Sequence, residues 1–476
     1  MKDISRRTFL KRLGIGTAVL ASPTFVGCAS KHNDSRGALT DIPTDKMTYR
    51  ENPKTHERVS LLGYGCMRWP TKDVEGSDSD DKPKKVIDQE QVNALVAKAI
   101  KHGVNYFDTS PAYCEGKSEE ATGIALAPFP RDSYFIATKM SNFAPETWPR
   151  EASIKMYHDS LRYLRTDHID YMLLHCVGLT SQDASGKELN GMETLRARFF
   201  DNGILDYLMS EREAGRIRNL GFSYHGDIKV FDHLLSMHDR GETHWDFVQI
   251  QLSYVDWKHA KEIEPLNTNA EYLYGELAKR HIPAVVMEPL LGGQLARVPA
   301  FAAERMTAAR PDDSIASWAF RFAASLPNIL TVLSGMTYKE HLEDNLRTFC
   351  PLQPCTEEER KMLSEIAQIF VENPFIPCTG CQYCMPCPYG LNIPAIFAHY
   401  NRCINEEHYT KSDTDPNYRE ARRAYLIGYD RSVPRLRQAD HCVSCGKCAP
   451  HCPQSIAIPK KLHEIDAYVE KLRRDI

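Results

Sequence analysis

Long apolar runs are scarce in this 476-residue sequence. The one stretch that invites attention, Leu13 to Gly27, is too short and too rich in Gly, Ala and Ser for a comfortable transmembrane helix. Strong charge of either sign is also missing. A formal net charge of -4 over this length gives no support for a nucleic-acid partner, which would call for a clustered basic face. The hydrophobic fraction of 42% and charged fraction of 26% are those of a folded globular chain, long enough for two or three units. No G-x-G-x-x-G follows the first predicted strand, where Gly63-Tyr64-Gly65-Cys66 stands instead, and no flavin motif is present. The 15 cysteines are not spread as a disulfide framework would spread them: eight fall in two short C-terminal runs.

The chain opens with Ser5-Arg6-Arg7-Thr8-Phe9-Leu10-Lys11 before the apolar stretch, which reads as an export signal of the twin-arginine type. A basic, frayed helix is the plainer alternative. Phe25-Val26-Gly27-Cys28 resembles a bacterial lipobox, with Cys28 as a lipid-anchored first residue of the mature protein; an incidental cysteine beside an ordinary cleavage site is the other reading. Residues 29–46 are polar, as a tether would be. Together these features predict a periplasmic or membrane-anchored lipoprotein of a bacterium, exported folded with its cofactors in place.

From residue 58 to about 349, short β-rich runs alternate with amphipathic segments such as Asp88–His102. The predicted strands are Val59–Cys66, Asn105–Thr109, Tyr134–Lys139, Ile169–His175, Asn219–Ser223, Phe247–Leu252, Ala284–Glu288 and Ile329–Ser334. Eight such repeats fit an α/β fold of the (β/α)8 TIM-barrel kind better than an open doubly wound sheet. In that barrel, chemistry gathers at the C-terminal strand ends. Asp108, Lys139 and His175 close three consecutive apolar strands and so converge on one mouth, with Tyr113 in the loop after Asp108. Taken singly, each has a dull explanation as a helix cap, a solvated lysine or a core histidine.

Jointly, these residues resemble the aldo/keto reductase family over roughly residues 58–350. The matching segments are Phe107-Asp108-Thr109-Ser110-Pro111-Ala112-Tyr113, Ile136-Ala137-Thr138-Lys139 and Asp170-Tyr171-Met172-Leu173-Leu174-His175. The resemblance implies that Tyr113 is the general acid or base, and that Lys139 lowers its pKa. Asp108 would hold Lys139 charged, and His175 would orient the carbonyl of a small carbonyl or alcohol substrate. It also implies an NADP or NAD site. Ser223 and Gln249 would meet the carboxamide, although Tyr224 stands where a family Asn is common. Glu288, Pro289, Leu290 and Gly292 would lie along the pyrophosphate; Ser334, Gly335, His341 and Asn345 would serve the adenosine end. Lys339 is the only obvious lysine there, which leaves NAD and NADP both open. The insertion from Cys176 to Gly203 is expected to be a lid that selects substrate.

Cys378-x2-Cys381-x2-Cys384-x2-Cys387-Pro388 and Cys442-x2-Cys445-x2-Cys448-x3-Cys452-Pro453 match [4Fe–4S] spacing. In two-cluster ferredoxins the last cysteine of each run serves the other cluster. The expected sets are therefore Cys378, Cys381, Cys384 and Cys452 on one, and Cys442, Cys445, Cys448 and Cys387 on the other. Zinc is the alternative occupant of such motifs. The spacer from Pro394 to Ala439 reads as helical, resembling an α-helical ferredoxin. Cys403 has no assigned role, whereas Cys114 and Cys176 border the pocket. The arginines Arg419, Arg422, Arg423, Arg431, Arg435 and Arg437 form either a solvated face or a docking patch for an acidic electron carrier.

The expected organisation is a signal and tether (1–46), the barrel (47–353) and a small, mainly helical iron–sulfur domain (354–476). The expected function is carbonyl–alcohol oxidoreduction with a nicotinamide, with two [4Fe–4S] clusters passing electrons to a redox partner protein. The rival is an electron carrier or structural protein on an inactive barrel.

Overall fold

The computed structural model describes residues 42–475 except 75–84, 264–265, 373–374, 411, 453 and 455; the twin-arginine segment and Cys28 lie outside the described residues. Eight parallel strands close a barrel: β1 (Leu62–Gly65), β2 (Tyr106–Asp108), β3 (Phe135–Met140), β4 (Ile169–Val177), β5 (Ile217–Tyr224), β6 (Phe247–Gln251), β7 (Ala284–Met287) and β8 (Ile329–Ser334). Closure through β8 and β1, with Val332 opposite Leu62 and Ser334 opposite Tyr64, excludes the open sheet.

Side chains alternate across each strand, and this explains the wall of the barrel. Tyr106, Phe135, Ala137, Tyr171, Leu173, Phe247 and Val285 form the inner core. Phe107, Ile136, Met172, Leu174, Phe222, Val248 and Ile250 face out into the layer beneath the helices. Tyr171 packs edge-on to Phe247 at 5.1 Å and against Tyr106 at 5.0 Å, filling the centre. The outer helices obey their own period: Gln89–Lys101 is capped by Asp88 and buries Val92, Leu95, Val96 and Ala99 against the sheet.

Two boundaries differ from the sequence reading. Val59 belongs to a short strand, Arg58–Ser60, paired antiparallel with Tyr49–Glu51. The Ser60 hydroxyl bonds the Leu62 carbonyl and the Leu61 N–H bonds Thr48, so the barrel strand starts only at Leu62. Further on, Glu357–Val371 buries Leu363, Ile366, Ala367 and Phe370 in the barrel's outer core. A separate core begins at Ile376. There Ile393–Asn405, Tyr418–Ser432 and Ile458–Arg474 pack around Ile396, Phe397, Tyr425, Leu462 and Ile465. Cys403 is buried in this second core, its sulfur 3.4 Å from His399 Nε2. No helix among the described residues is long and apolar enough to cross a membrane.

Candidate active site

Alternation fixes which residues reach the mouth. Two positions beyond Tyr106 comes Asp108, two beyond Ala137 comes Lys139, and two beyond Leu173 comes His175. Each is the last inward residue of an adjacent strand, so the three meet. Lys139 is 1% exposed and donates to Asp108 Oδ1 at 2.5 Å and to the Thr109 carbonyl at 2.8 Å. Gln249, the inward residue of β6, reaches Asp108 Oδ2 at 3.4 Å while its own Oε1 has no partner. Burial pushes the Asp108 carboxyl up, against the pull of Lys139.

Tyr113 opens a turn, Tyr113–Gly116, in which Cys114 and Glu115 both hold positive φ. These are costly conformations for non-glycine residues, and they set the tyrosine over the mouth. Lys139 Nζ lies 4.7 Å from the Tyr113 ring centre, and the His175 ring stands edge-on at 5.8 Å. The sequence reading has Lys139 lowering the Tyr113 pKa. Burial raises it well above 10, helped by the charges of Asp108, Tyr383, Cys176 and Glu288. Lys139 lies by the ring and is paired with Asp108.

His175 is held neutral: burial, then Lys139, Arg198 and His225, depress its pKa far below 6.5. Its Nδ1 lies 2.6 Å from the Ser141 hydroxyl and 3.4 Å from that of Ser110. Behind it, buried Arg198 donates to the carbonyls of His175, Cys176 and Asn142 with no carboxylate partner among the described residues, and burial pushes its pKa down to about 10. Arg198 comes from the Cys176–Gly203 insertion, which forms a small hairpin, Ser181–Gln182 with Glu188–Leu189, and a helix, Gly191–Leu195. Through Arg198 the insertion braces His175 from behind.

The nicotinamide-site candidates divide. Ser223 is an inward residue of β5 whose oxygen accepts the Cys176 N–H at 2.8 Å; Tyr224 points outward into Phe231 and bonds the Gly226 carbonyl. Ser334 and Asn345 are buried and bonded to each other at 2.9 Å, whereas His341 is exposed beside Tyr338. Pro289 is buried and Leu290 half-buried after β7. Gly292 has φ +67°, and a Cβ there would stand 2.3 Å from the Thr379 Cα. Arg68 packs on Gly335, where a Cβ would meet its Cδ at 3.2 Å, and donates to the Thr379 carbonyl. Gln454 donates to Glu288 at 3.2 Å, and Gln294 to the Ile376 carbonyl at 3.2 Å. Burial, with the Asp256 charge, lifts Glu288 to about 7. The Gln249 amide oxygen is thus left free to accept a hydrogen bond, while the first cysteine loop roofs the Gly292–Gly335 wall. No sequence pattern marked Arg68, Thr379, Tyr383 or Gln454, whose contacts come from packing between two modules, nor Arg198, whose partners are barrel carbonyls.

All fourteen described cysteines are free thiols. Burial and the nearby Cys378, Cys381 and Cys452 push Cys384 up to about 12; burial, then Cys442, Cys445 and Cys387, likewise raise Cys448. Cys384 thus has Cys452 of the second run among its neighbours, and Cys448 has Cys387 of the first. Among the described residues no three His, Cys, Asp or Glu side chains close on a single ion. A cubane does not ask for that, because each thiolate takes a different iron.

A parallel eightfold barrel with paired Asp–Lys and a Tyr–His pair at its mouth, joined to a two-run cysteine module, defines a fused barrel oxidoreductase. The chain belongs to the aldo/keto reductase family, whose profile matches residues 61–368, and a 4Fe–4S dicluster domain matches residues 377–458. It is 25% identical over 333 residues to the uncharacterized oxidoreductase YqkF of Bacillus subtilis, covering 64% of this chain and 92% of that protein. L-galactose dehydrogenase of Arabidopsis thaliana is 31% identical over 134 residues, 28% of this chain and 38% of the enzyme. Among solved structures, an aldo-keto reductase of Klebsiella pneumoniae in complex with NADPH aligns with a TM-score of 0.48 at 21% identity, covering 68% of this chain and 95% of that one. The 4Fe–4S domain sets aside zinc as the occupant of the cysteine runs.

Proposed function

We propose that the chain interconverts a small carbonyl compound and its alcohol at the barrel mouth, and exchanges single electrons with a redox partner protein through its two clusters. The observation that carries this reading is the meeting of Asp108, Lys139 and His175 at adjacent inward strand ends beneath Tyr113. A bound NAD or NADP supplies the hydride. Tyr113, kept protonated by burial, donates the proton to the carbonyl oxygen, and the Lys139 cation beside its ring offsets the phenolate charge that develops. In the tautomer whose Nδ1 accepts from the Ser141 hydroxyl, neutral His175 carries its proton on Nε2 and offers it to the same oxygen. Asp108 pins Lys139. Ser223 and the free oxygen of Gln249 serve the carboxamide.

Anaerobic purification, denaturation and identification of released cofactors test this. Iron for two [4Fe–4S] clusters and a nicotinamide, or oxidation of added NADPH or NADH by small aldehydes, are expected. Cluster iron with no nicotinamide and no such oxidation overturns it. The seating of Thr379 on Gly292 favours a second reading, an electron carrier on an idle barrel, and that same negative result would select it.

The Ser5–Lys11 segment and Phe25–Cys28 support export by the twin-arginine route and a lipid anchor on Cys28. Cys28→Ser would then shift the mature protein from the membrane to the soluble periplasmic fraction, and unchanged fractionation would refute the anchor.

A further inference from the structure

The two clusters face different surroundings. The first set lies against the barrel: between Cys378 and Cys381, Thr379 seats on Gly292 and its carbonyl accepts from Arg68. In the second set Cys445 is exposed. Its loops also carry apolar side chains into solvent: Tyr389 is 51%, Leu436 79% and Val443 56% exposed. Three of the nine large apolar side chains exposed among the described residues thus flank one ligand set. Tyr389 follows Cys387 by two residues, and Val443 is next to Cys442. The Asn392 N–H bonds the Arg437 carbonyl at 3.1 Å, which ties the turn carrying Leu436 to the Cys387 loop.

The charge carried by the second cysteine run and the turn before it is mostly positive. Between residues 435 and 448 stand Arg435, Arg437 and Lys447 against a single acid, Asp440, which pairs with Arg435 at 3.3 Å. Neither Arg437 nor Lys447 has an ion-pair partner among the described residues. An apolar centre with unpaired cations beside an exposed redox ligand suits a partner with an acidic rim. Opposite charge steers such an encounter, and small interfaces are usual for electron transfer.

We propose that the rim of the second cluster, formed by Tyr389, Leu436 and Val443 with Arg437 and Lys447, is the docking surface for an acidic one-electron carrier protein. The carrier loses one electron and the second cluster gains it, with no bond made or broken and no proton moved; the reverse transfer uses the same surface. The first cluster then stands between this port and the barrel mouth. The inference rests on the proposed role of the clusters in electron exchange, but it does not require the chemistry at Tyr113.

The test uses the full, cluster-loaded protein and a reduced, acidic plant-type [2Fe–2S] ferredoxin as probe, with binding and electron transfer followed against salt. Rate and affinity should fall as salt rises, and the double variant Leu436→Ser/Arg437→Glu should slow transfer roughly tenfold or more. Lys447→Glu should act the same way. Electron paramagnetic resonance of both clusters checks that each variant is still loaded, and Arg419→Glu, at the far end of its helix, should transfer like the parent. Transfer that ignores salt, or loaded Leu436→Ser/Arg437→Glu protein that accepts electrons at the parent rate, overturns the proposal. Normal ferredoxin oxidation without any carbonyl turnover would count against the barrel's proposed activity and leave the docking surface standing.

Discussion

At the scale of single residues, burial governs the charges in the barrel. Glu119 lies on an outer helix behind β3, where its Oε1 accepts from the Thr138 hydroxyl at 2.6 Å. Burial raises its pKa from 4.5 to about 7. The folded chain therefore binds more protons at this group than the unfolded chain between those values, so its contribution to stability is greatest below pH 4.5 and is lost as pH rises through about 7. Glu119→Gln should flatten that part of the profile, measured by denaturant titration at several pH values. An unchanged slope would mean that Glu119 titrates normally. The same preference for neutral forms holds for His175 and Tyr113, whereas Asp108 and Lys139 satisfy each other at 2.5 Å.

At the scale of elements, the loop after β7 is where the two modules interlock. Gly292 combines positive φ with the Thr379 backbone at van der Waals range. Gly292→Ala should unseat the first cysteine loop at a cost on the order of 1–3 kcal/mol. The check is faster hydrogen exchange at residues 376–384 with the barrel strands unchanged; equal protection in both proteins would show that this contact does not hold the loop. Such a contact is invisible to periodicity, which reads one element at a time. The barrel strands were legible because period-two alternation repeats eight times, and Asp108, Lys139 and His175 because each ends such a run. The Arg58–Ser60 strand was not, since Val59 continues the apolar pattern and only side-chain hydrogen bonds of Ser60 break it. Glu357–Val371 was assigned to the wrong core for a related reason: its apolar stripe states that it packs, not against what.

At the scale of the whole molecule, the cysteine runs show how far spacing reaches. The crossed pairing is what the motif implies, and each run has a cysteine of the other among its neighbours. Cys452→Ser should weaken or alter the cluster beside the barrel, and Cys387→Ser the exposed one. Paramagnetic resonance should then show two different losses, each leaving one parent-like signal. Identical spectra from the two variants would refute the crossed assignment. The seat of the first loop over the mouth makes the barrel and the iron–sulfur module one working unit, with Tyr383 and Cys381 among the groups that Tyr113 and Cys176 sense.

The most direct test of the central claim is single-turnover carbonyl reduction by anaerobically prepared, cluster-loaded protein, comparing the parent with Tyr113→Phe. The account predicts a rate lower by roughly two to four orders of magnitude in the variant, with both cluster signals intact. Equal rates in the two proteins would contradict it.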